Sequence, residues 1–212
     1  MPITISDVAA RAGISKSTVS RYINGQYTSM SAATKDKIAR IIGEMDYQPN
    51  ALARSLKKKR TNTIGAIVAN ILNPFSTAII RAAEGYCHKA GFSLVLCNAE
   101  DDPVKERHYF EVLLSKQIDG LIITTTERNN ELLKAVKRRI PMVLVGRNVP
   151  EVEADTIIID SVSGVKLAVN HLVAHGHRSV AMFTLPYSIV NTSPRITRVN
   201  AFKASLLENG LD

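Results

Sequence analysis

Residues 15–25 read Ser15-Lys16-Ser17-Thr18-Val19-Ser20-Arg21-Tyr22-Ile23-Asn24-Gly25, and the fold of the amino-terminal quarter turns on them. Ser15 is suited to cap a helix, because its hydroxyl accepts from the orphan N–H groups of a first turn, and Gly25 suits the stop. Between them Val19 and Ile23 fall at i and i+4, so they share the buried side, and Lys16, Ser17, Ser20 and Arg21 must point elsewhere. Upstream, Ser6 looks like the N-cap of a helix through Ala12, with Val8, Ala9 and Ala12 on one face and Gly13 as its stop. Two short helices separated by Gly13-Ile14-Ser15 have the spacing of a helix-turn-helix, whose second helix enters the major groove with its first residues against base edges. A third helix, from 31 to about 45, offers Ile38, Ile41, Ile42 and Met45 to close this small core.

The charge agrees with that placement. The chain has 212 residues, 45% hydrophobic, 22% charged and 5% aromatic, with a net charge of +8. Such a composition excludes collagen-like, purely coiled-coil and wholly disordered chains. Residues 1–61 hold eleven of the 27 Lys and Arg but only four of the 19 acids, so nearly all the excess charge sits in the first quarter. That quarter faces a polyanion, and the remainder is close to neutral. No run of apolar residues is long enough to span a membrane, and Asp7 and Arg11 interrupt any export signal, so a cytoplasmic protein without membrane contact is expected. Cys87 and Cys97 are too few for a disulfide framework and are expected as thiols.

After the third helix, Pro49 stops helical continuation and Asn50 can cap a new helix from Ala51 to about Lys57. Seven residues do not hold a helix alone in water, so this segment is expected to be loose when free and ordered on a partner. Leu52 and Leu56 form an i, i+4 apolar pair followed by Lys57-Lys58-Lys59-Arg60, the composition of a wedge for a minor groove flanked by phosphates. The other reading is a flexible basic linker whose leucines dock on the next domain.

From Thr63 the periodicity changes. Apolar runs at 64–69, 92–96, 120–123, 142–145 and 156–159 alternate with helical stretches near 75–90, 103–117 and 129–139, which indicates a doubly wound parallel sheet with helices on both faces. Asp102-Pro103 is an N-cap with its first-turn proline, and Gly91 a stop. A further strand at 179–183 and helix at about 195–208 precede the end at Asp212. Neither a Gly-x-Gly-x-x-Gly after the first strand nor a Walker lysine loop occurs, so no nucleotide cofactor has an anchor. Ligands of open α/β sheets gather beyond the carboxyl ends of the strands, which here are 70–76, 98–102, 124–127, 146–148 and 160–161. These loops are polar, as a sugar-like ligand requires and as solubility also requires.

The run from Ile5 to Ala9, Ser17-Thr18-Val19-Ser20-Arg21, Asn24-Gly25 and Tyr47-Gln48-Pro49-Asn50-Ala51 resembles the head of the lactose-repressor/galactose-repressor family of bacterial transcription regulators. The loop from Asn24 to Ser31 is one residue longer than that family's usual one. The resemblance continues through Asn73-Pro74-Phe75, Asp119-Gly120-Leu121-Ile122, Pro141-Met142-Val143 and the segment from His171 to Arg178. It implies four parts: a helix-turn-helix head at 1–49, a hinge helix and basic linker at 50–61, a first lobe of a periplasmic-binding-protein-like sensor at 62–161, and an incomplete second lobe at 162–212. By position it implies that Lys16, Ser17 and Arg21 read bases, that Thr4, Thr18, Ser20, Asn24, Tyr47 and Asn50 hold phosphates, and that Ala51 and Leu56 enter the minor groove. Leu56 matches the leucine that the family inserts at the operator centre, which needs a homodimer and a nearly palindromic double-stranded operator. It further implies a sugar-like effector held by Phe75, Ser76, Asp160 and Arg198, and a repressor as the commonest role.

Other constellations carry less. His171 and His175 share a helix face with His177 nearby, but no acid or cysteine lies close, and histidine suits a helix carboxyl end. No nucleophile elbow supports hydrolysis, so neither a catalytic nor a metal site is expected. The alternatives are a DNA binder that no longer senses an effector and, from another class, a solute-binding protein.

Overall fold

The computed structural model describes residues 3–28, 30–48, 60–184 and 192–211. The hinge positions Asn50, Ala51, Leu52, Leu56 and Lys57 to Lys59 lie outside the described residues. Two compact units are present, residues 1–61 and 62–212.

In the first unit α1 (Ile5–Ala12), α2 (Lys16–Ile23) and α3 (Ala32–Glu44) enclose a core of Val8, Ala9, Ala12, Val19, Ile38, Ile41 and Tyr47. Val8, Ala12, Val19 and Ile38 are fully buried. Ile5, Ile14, Tyr22, Ile23, Met30, Ile42 and Met45 pack around them. The first helix begins two residues earlier than expected, with Thr4 and not Ser6 as its cap. Thr4 Oγ1 accepts from Asp7 N–H, and the Asp7 carboxylate accepts in return from Thr4 N–H at 2.8 Å and from the Thr4 hydroxyl at 2.7 Å. A threonine and an acid three residues apart satisfy two orphan donors reciprocally, whereas Ser6 has no acid at the matching position. Gly13 sits in the left-handed region at φ 62°, which lets the chain turn sharply into α2. Ser15 caps α2 as the sequence predicts, and Ser31, expected as the first residue of α3, is its cap.

The second unit is built on a five-stranded parallel sheet in the order β2-β1-β3-β4-β5: β1 (Thr63–Val68), β2 (Ser93–Asn98), β3 (Gly120–Ile123), β4 (Met142–Val145) and β5 (Asp155–Ile157). The crossovers are α4 (Pro74–Lys89), α5 (Pro103–Ser115) and α6 (Asn130–Lys137). Inward residues of the strands (Ile67, Leu121, Ile123, Met142, Leu144) meet Phe110 and Leu113 of α5 and Leu133 and Val136 of α6. The interior strand β1 is buried on both faces from Gly65 to Val68, as parallel strands covered by helices must be. Beyond β5 come α7 (Ser161–Ala174) and α8 (Ser193–Glu208), packed on each other. The strand expected at 179–183 is absent: these residues form no ladder, and Phe183 is 97% exposed. An apolar run becomes a strand only where a neighbour completes its hydrogen bonds, and none of the described strands runs beside it.

The Thr4 bonds hold the Asp7 carboxyl below its ordinary value of 3.8. A depressed folded-state value means that the cap stabilises above the unfolded value and is lost as pH falls through the folded one. Amide protection across α1 therefore drops as pH is lowered below 3.8, and Asp7→Asn removes most of that pH dependence. Hydrogen exchange followed by NMR across the acid range measures both.

Candidate functional site

The head fixes what α2 can present. With Val19 buried and Ile23 packed on the core, Ser17 and Arg21 are exposed on the other side, Lys16 is exposed at the helix start, and Thr18, Ser20 and Asn24 are half-buried. All three expected base readers are thus exposed on α2. Their states differ. Ser17 Oγ lies 2.8 Å from Ser15 Oγ, so its hydroxyl is engaged with the helix cap in the free protein. Asn24 donates from Nδ2 to Ser20 O at 2.7 Å, while its Oδ1 is buried without a partner. Thr4 is exposed but tied into the capping box. Tyr47 is only 8% exposed and belongs to the core of the head.

In the second unit the loops at the carboxyl ends of β1 to β4 converge on Arg147. Its guanidinium donates from Nη2 to Asp101 Oδ1 at 3.2 Å and from Nη1 to Thr125 O, and its Nε lies 3.9 Å from Glu127 Oε1. The side chain is only 14% exposed, so these charges attract one another more strongly than surface pairs do. Asn70 adds a bond to Asp101 Oδ2 at 3.3 Å. Glu127 also reaches the start of α8: its carboxylate accepts from Ser193 N–H at 3.0 and 3.1 Å and from the Ser193 hydroxyl at 2.9 Å. The cap position of α8, Thr192, makes no side-chain cap of its own, so a distant glutamate satisfies this helix end and matches its positive dipole.

A buried carboxylate stands behind this arrangement. Glu106, fully buried on α5, accepts from Thr126 N–H at 2.8 Å, Thr126 Oγ1 at 2.6 Å and Asn129 Nδ2 at 2.7 Å. Three donors compensate for its removal from water. They also fix the loop that presents Glu127. Glu100, Asp101 and Glu127 all have φ between 55 and 62° without being glycine. Non-glycine residues held there mark loops whose surroundings impose the geometry, and such positions cluster at binding sites.

The expected effector residues do not all meet. Phe75, 38% exposed at the start of α4, lies against Gly146, where a Cβ would come within 3.1 Å of its ring. With φ at +74° as well, residue 146 has to be glycine both for its backbone and for the ring. Ser76 faces another way: it is 3% exposed and lines a groove of about 240 Å³ with Ile71, Ile80, Arg81, Glu84 and Leu96. Asp160 caps α7, accepting from Ser163 N–H at 3.0 Å, which holds its carboxyl below the ordinary range. Arg198 is exposed on α8. Sequence reasoning found the loops of this site but not the pairing of Asp101, Glu127 and Arg147, nor Glu106. The only sequence signal was the charge carried by those loops.

Among the described residues no group of three or more His, Cys, Asp or Glu is placed to hold a metal ion. His171 and His175 lie with ring centroids 4.2 Å apart and planes tilted by 41° at the end of α7. Cys87 and Cys97 are free and buried, and burial pushes the Cys97 thiol up. No helix among the described residues is long and apolar enough to cross a membrane.

Residues 4–50 match the family of bacterial regulatory proteins of the lacI type, and residues 61–212 match the periplasmic binding proteins and sugar-binding domain of the LacI family. The chain is 43% identical over 204 residues to the HTH-type transcriptional regulator PtxS of Pseudomonas aeruginosa, covering 96% of this chain and 59% of PtxS. It is 38% identical over 201 residues to the HTH-type transcriptional regulator KdgR of Bacillus subtilis, covering 94% of this chain and 59% of KdgR. The chain thus spans about three-fifths of the length of these relatives. A solved lac repressor dimer, bound to operator and the anti-inducer ONPF, superposes with a TM-score of 0.87 at 27% identity, over 100% of this chain and 64% of that one. A helix-turn-helix head joined to a parallel-sheet sensor, matched by both family models and by these relatives, makes this chain a member of the LacI family of bacterial regulatory proteins.

Proposed function

We propose that this chain is a sequence-specific DNA-binding transcription regulator, acting as a repressor under the control of a small sugar or related metabolite. What carries the reading is the exposure of Lys16, Ser17 and Arg21 on α2, in a head that holds nearly all of the excess positive charge. Arg21 suits bidentate bonding to O6 and N7 of a guanine, and Lys16 and Ser17 lie at the helix start, which meets base edges first. Thr4, Thr18, Ser20, Asn24, Tyr47 and Asn50 are proposed phosphate contacts, which orient the head without choosing sequence. Ala51 and Leu56 are the proposed minor-groove residues, with one Leu56 from each of two chains opening the central step. For that pairing, the groove between α4 and β2 suits a second copy of the chain: Ile71, Leu72 and Leu96 are exposed beside it, and Arg81 and Glu84 offer opposite charges for a two-fold contact. Such a regulator works in the cytoplasm, on the nucleoid.

The effector site we place around the loops that meet at Arg147, and Phe75, Ser76, Asp160 and Arg198 remain the proposed ligand contacts. Arg147, Asp101 and Glu127 join the β-strand loops to α8 in one polar network, so a polar ligand entering there competes with or completes the bond from Glu127 to Ser193. Effector and DNA affinities are then linked reciprocally: a ligand that favours the geometry unsuited to DNA weakens operator binding by the same factor that operator weakens its own.

Arg21→Ala is expected to lower discrimination by about 1–3 kcal/mol at one base position while leaving binding to random DNA nearly unchanged. Selecting sites from random duplexes with both proteins tests this; identical selected sites would contradict the assignment of Arg21. In the sensor, Glu106→Gln turns a buried acceptor into a donor facing donors, which costs about 1–3 kcal/mol. It should speed amide exchange at Thr126 and at Ser193 together, and exchange that rises at Thr126 alone would uncouple Glu106 from α8.

A further inference from the structure

The head carries an aromatic and cationic cluster that the groove reading leaves unused. Tyr22, next to Arg21 on α2, meets Tyr27 edge to face, with ring centroids 5.7 Å apart at 62°. Lys35, near the start of α3, holds its ammonium 4.6 Å from the centroid of the same Tyr27 ring. Tyr27 belongs to neither helix: it sits in the connecting loop that is one residue longer than the family's usual one. The loop backbone is itself ordered, with Gln26 N–H donating to Arg21 O at 2.9 Å and Met30 N–H to Tyr27 O at 2.9 Å. Yet Tyr27 stays 42% exposed and outside the core of the head. A ring so exposed contributes less through burial than through what its edge and face hold.

We propose that Tyr27 is a positioning residue for DNA binding, its ring fixing the Lys35 ammonium beside the carboxyl end of α2 as a preorganised contact to a backbone phosphate. This rests on α2 being the groove helix. A recognition helix meets bases with its first residues, so its far end and the loop after it leave towards the sugar-phosphate backbone. Lysine is a compact charge on a flexible four-carbon stem, and an unanchored one loses its rotamer freedom on reaching a phosphate. A ring that already holds the ammonium removes much of that loss before binding, while leaving the charge open to the polyanion. Lys37, two residues further on, points to a different side of α3 and lacks this placement.

The test uses the full chain with a 30-base-pair duplex selected from random DNA and a shuffled duplex of equal length, each titrated over a range of salt concentrations. Lys35→Met should lower the slope of log affinity against log salt by about one on both duplexes, since one released counterion contributes roughly 0.9. Tyr27→Leu should give most of the same loss, Tyr27→Phe should keep the unaltered slope, and Lys37→Met should change it far less. The double variant Tyr27→Leu with Lys35→Met should lose no more than Lys35→Met alone. In the unaltered protein the Lys35 methylene protons next to the ammonium should resonate upfield from ring current and shift back in Tyr27→Leu, a readout independent of DNA. An unaltered chain that binds neither duplex overturns the groove reading and this proposal together. A chain that binds normally while Tyr27→Leu keeps the full salt slope, or while Lys37→Met loses as much as Lys35→Met, overturns only the proposal.

Discussion

The burial of Val19 sets the rest of the head in place. It has no exposed surface, and its neighbours Ala12, Ile38 and Tyr47 come from the helices before and after it and from the segment beyond. A helix of eight residues has little stability of its own, so α2 exists because this one contact face is covered. Once Val19 points inward, the period of 3.6 residues turns Ser17 and Arg21 outward, and Lys16 is exposed as the first residue of the helix. What α2 exposes is therefore a consequence of packing. A small core also explains the care taken with helix ends, where Thr4, Ser15 and Ser31 each satisfy backbone donors that so little apolar burial cannot offset.

The sensor solves a different problem with the same economy. A parallel sheet sends its loops to one end, and those loops must be held without secondary structure of their own. Here a fully buried carboxylate does it: Glu106 accepts three bonds from the loop after β3, and the loop in turn offers Glu127 to α8 and to Arg147. Glu127 is thus shared between the sheet and the helix pair that follows it. If the proposed effector site is correct, a ligand that alters this carboxylate alters how α8 is held.

Much of this was legible in the residues, for identifiable reasons. Local rules placed the described helices other than α7, and the five described strands, to within two or three residues, because caps such as Asp102-Pro103 and stops such as Gly91 act over a few residues. The exposed face of α2 followed from the spacing of Val19 and Ile23. What failed was nonlocal or competitive. Ser6 and Thr4 are both plausible caps, and the acid at position 7 decides for Thr4. The run at 179–183 is apolar enough for a strand but has no ladder partner among the described residues. Phe75 and Ser76 are adjacent in sequence, yet a helix turns them about 100° apart, one towards Gly146 and one into the groove beside β2. The bond from Glu127 to Ser193 spans 66 residues, and nothing in either neighbourhood announces it.

The central claim is that α2 lies in the major groove, and methylation protection of guanine N7 tests it most directly, because that atom opens only into the major groove. With the full chain bound to a selected duplex, the account predicts N7 protection in two symmetric half-sites one helical turn apart, lost at one guanine of each half-site in Arg21→Ala. Specific binding that leaves every guanine N7 open to methylation would contradict it.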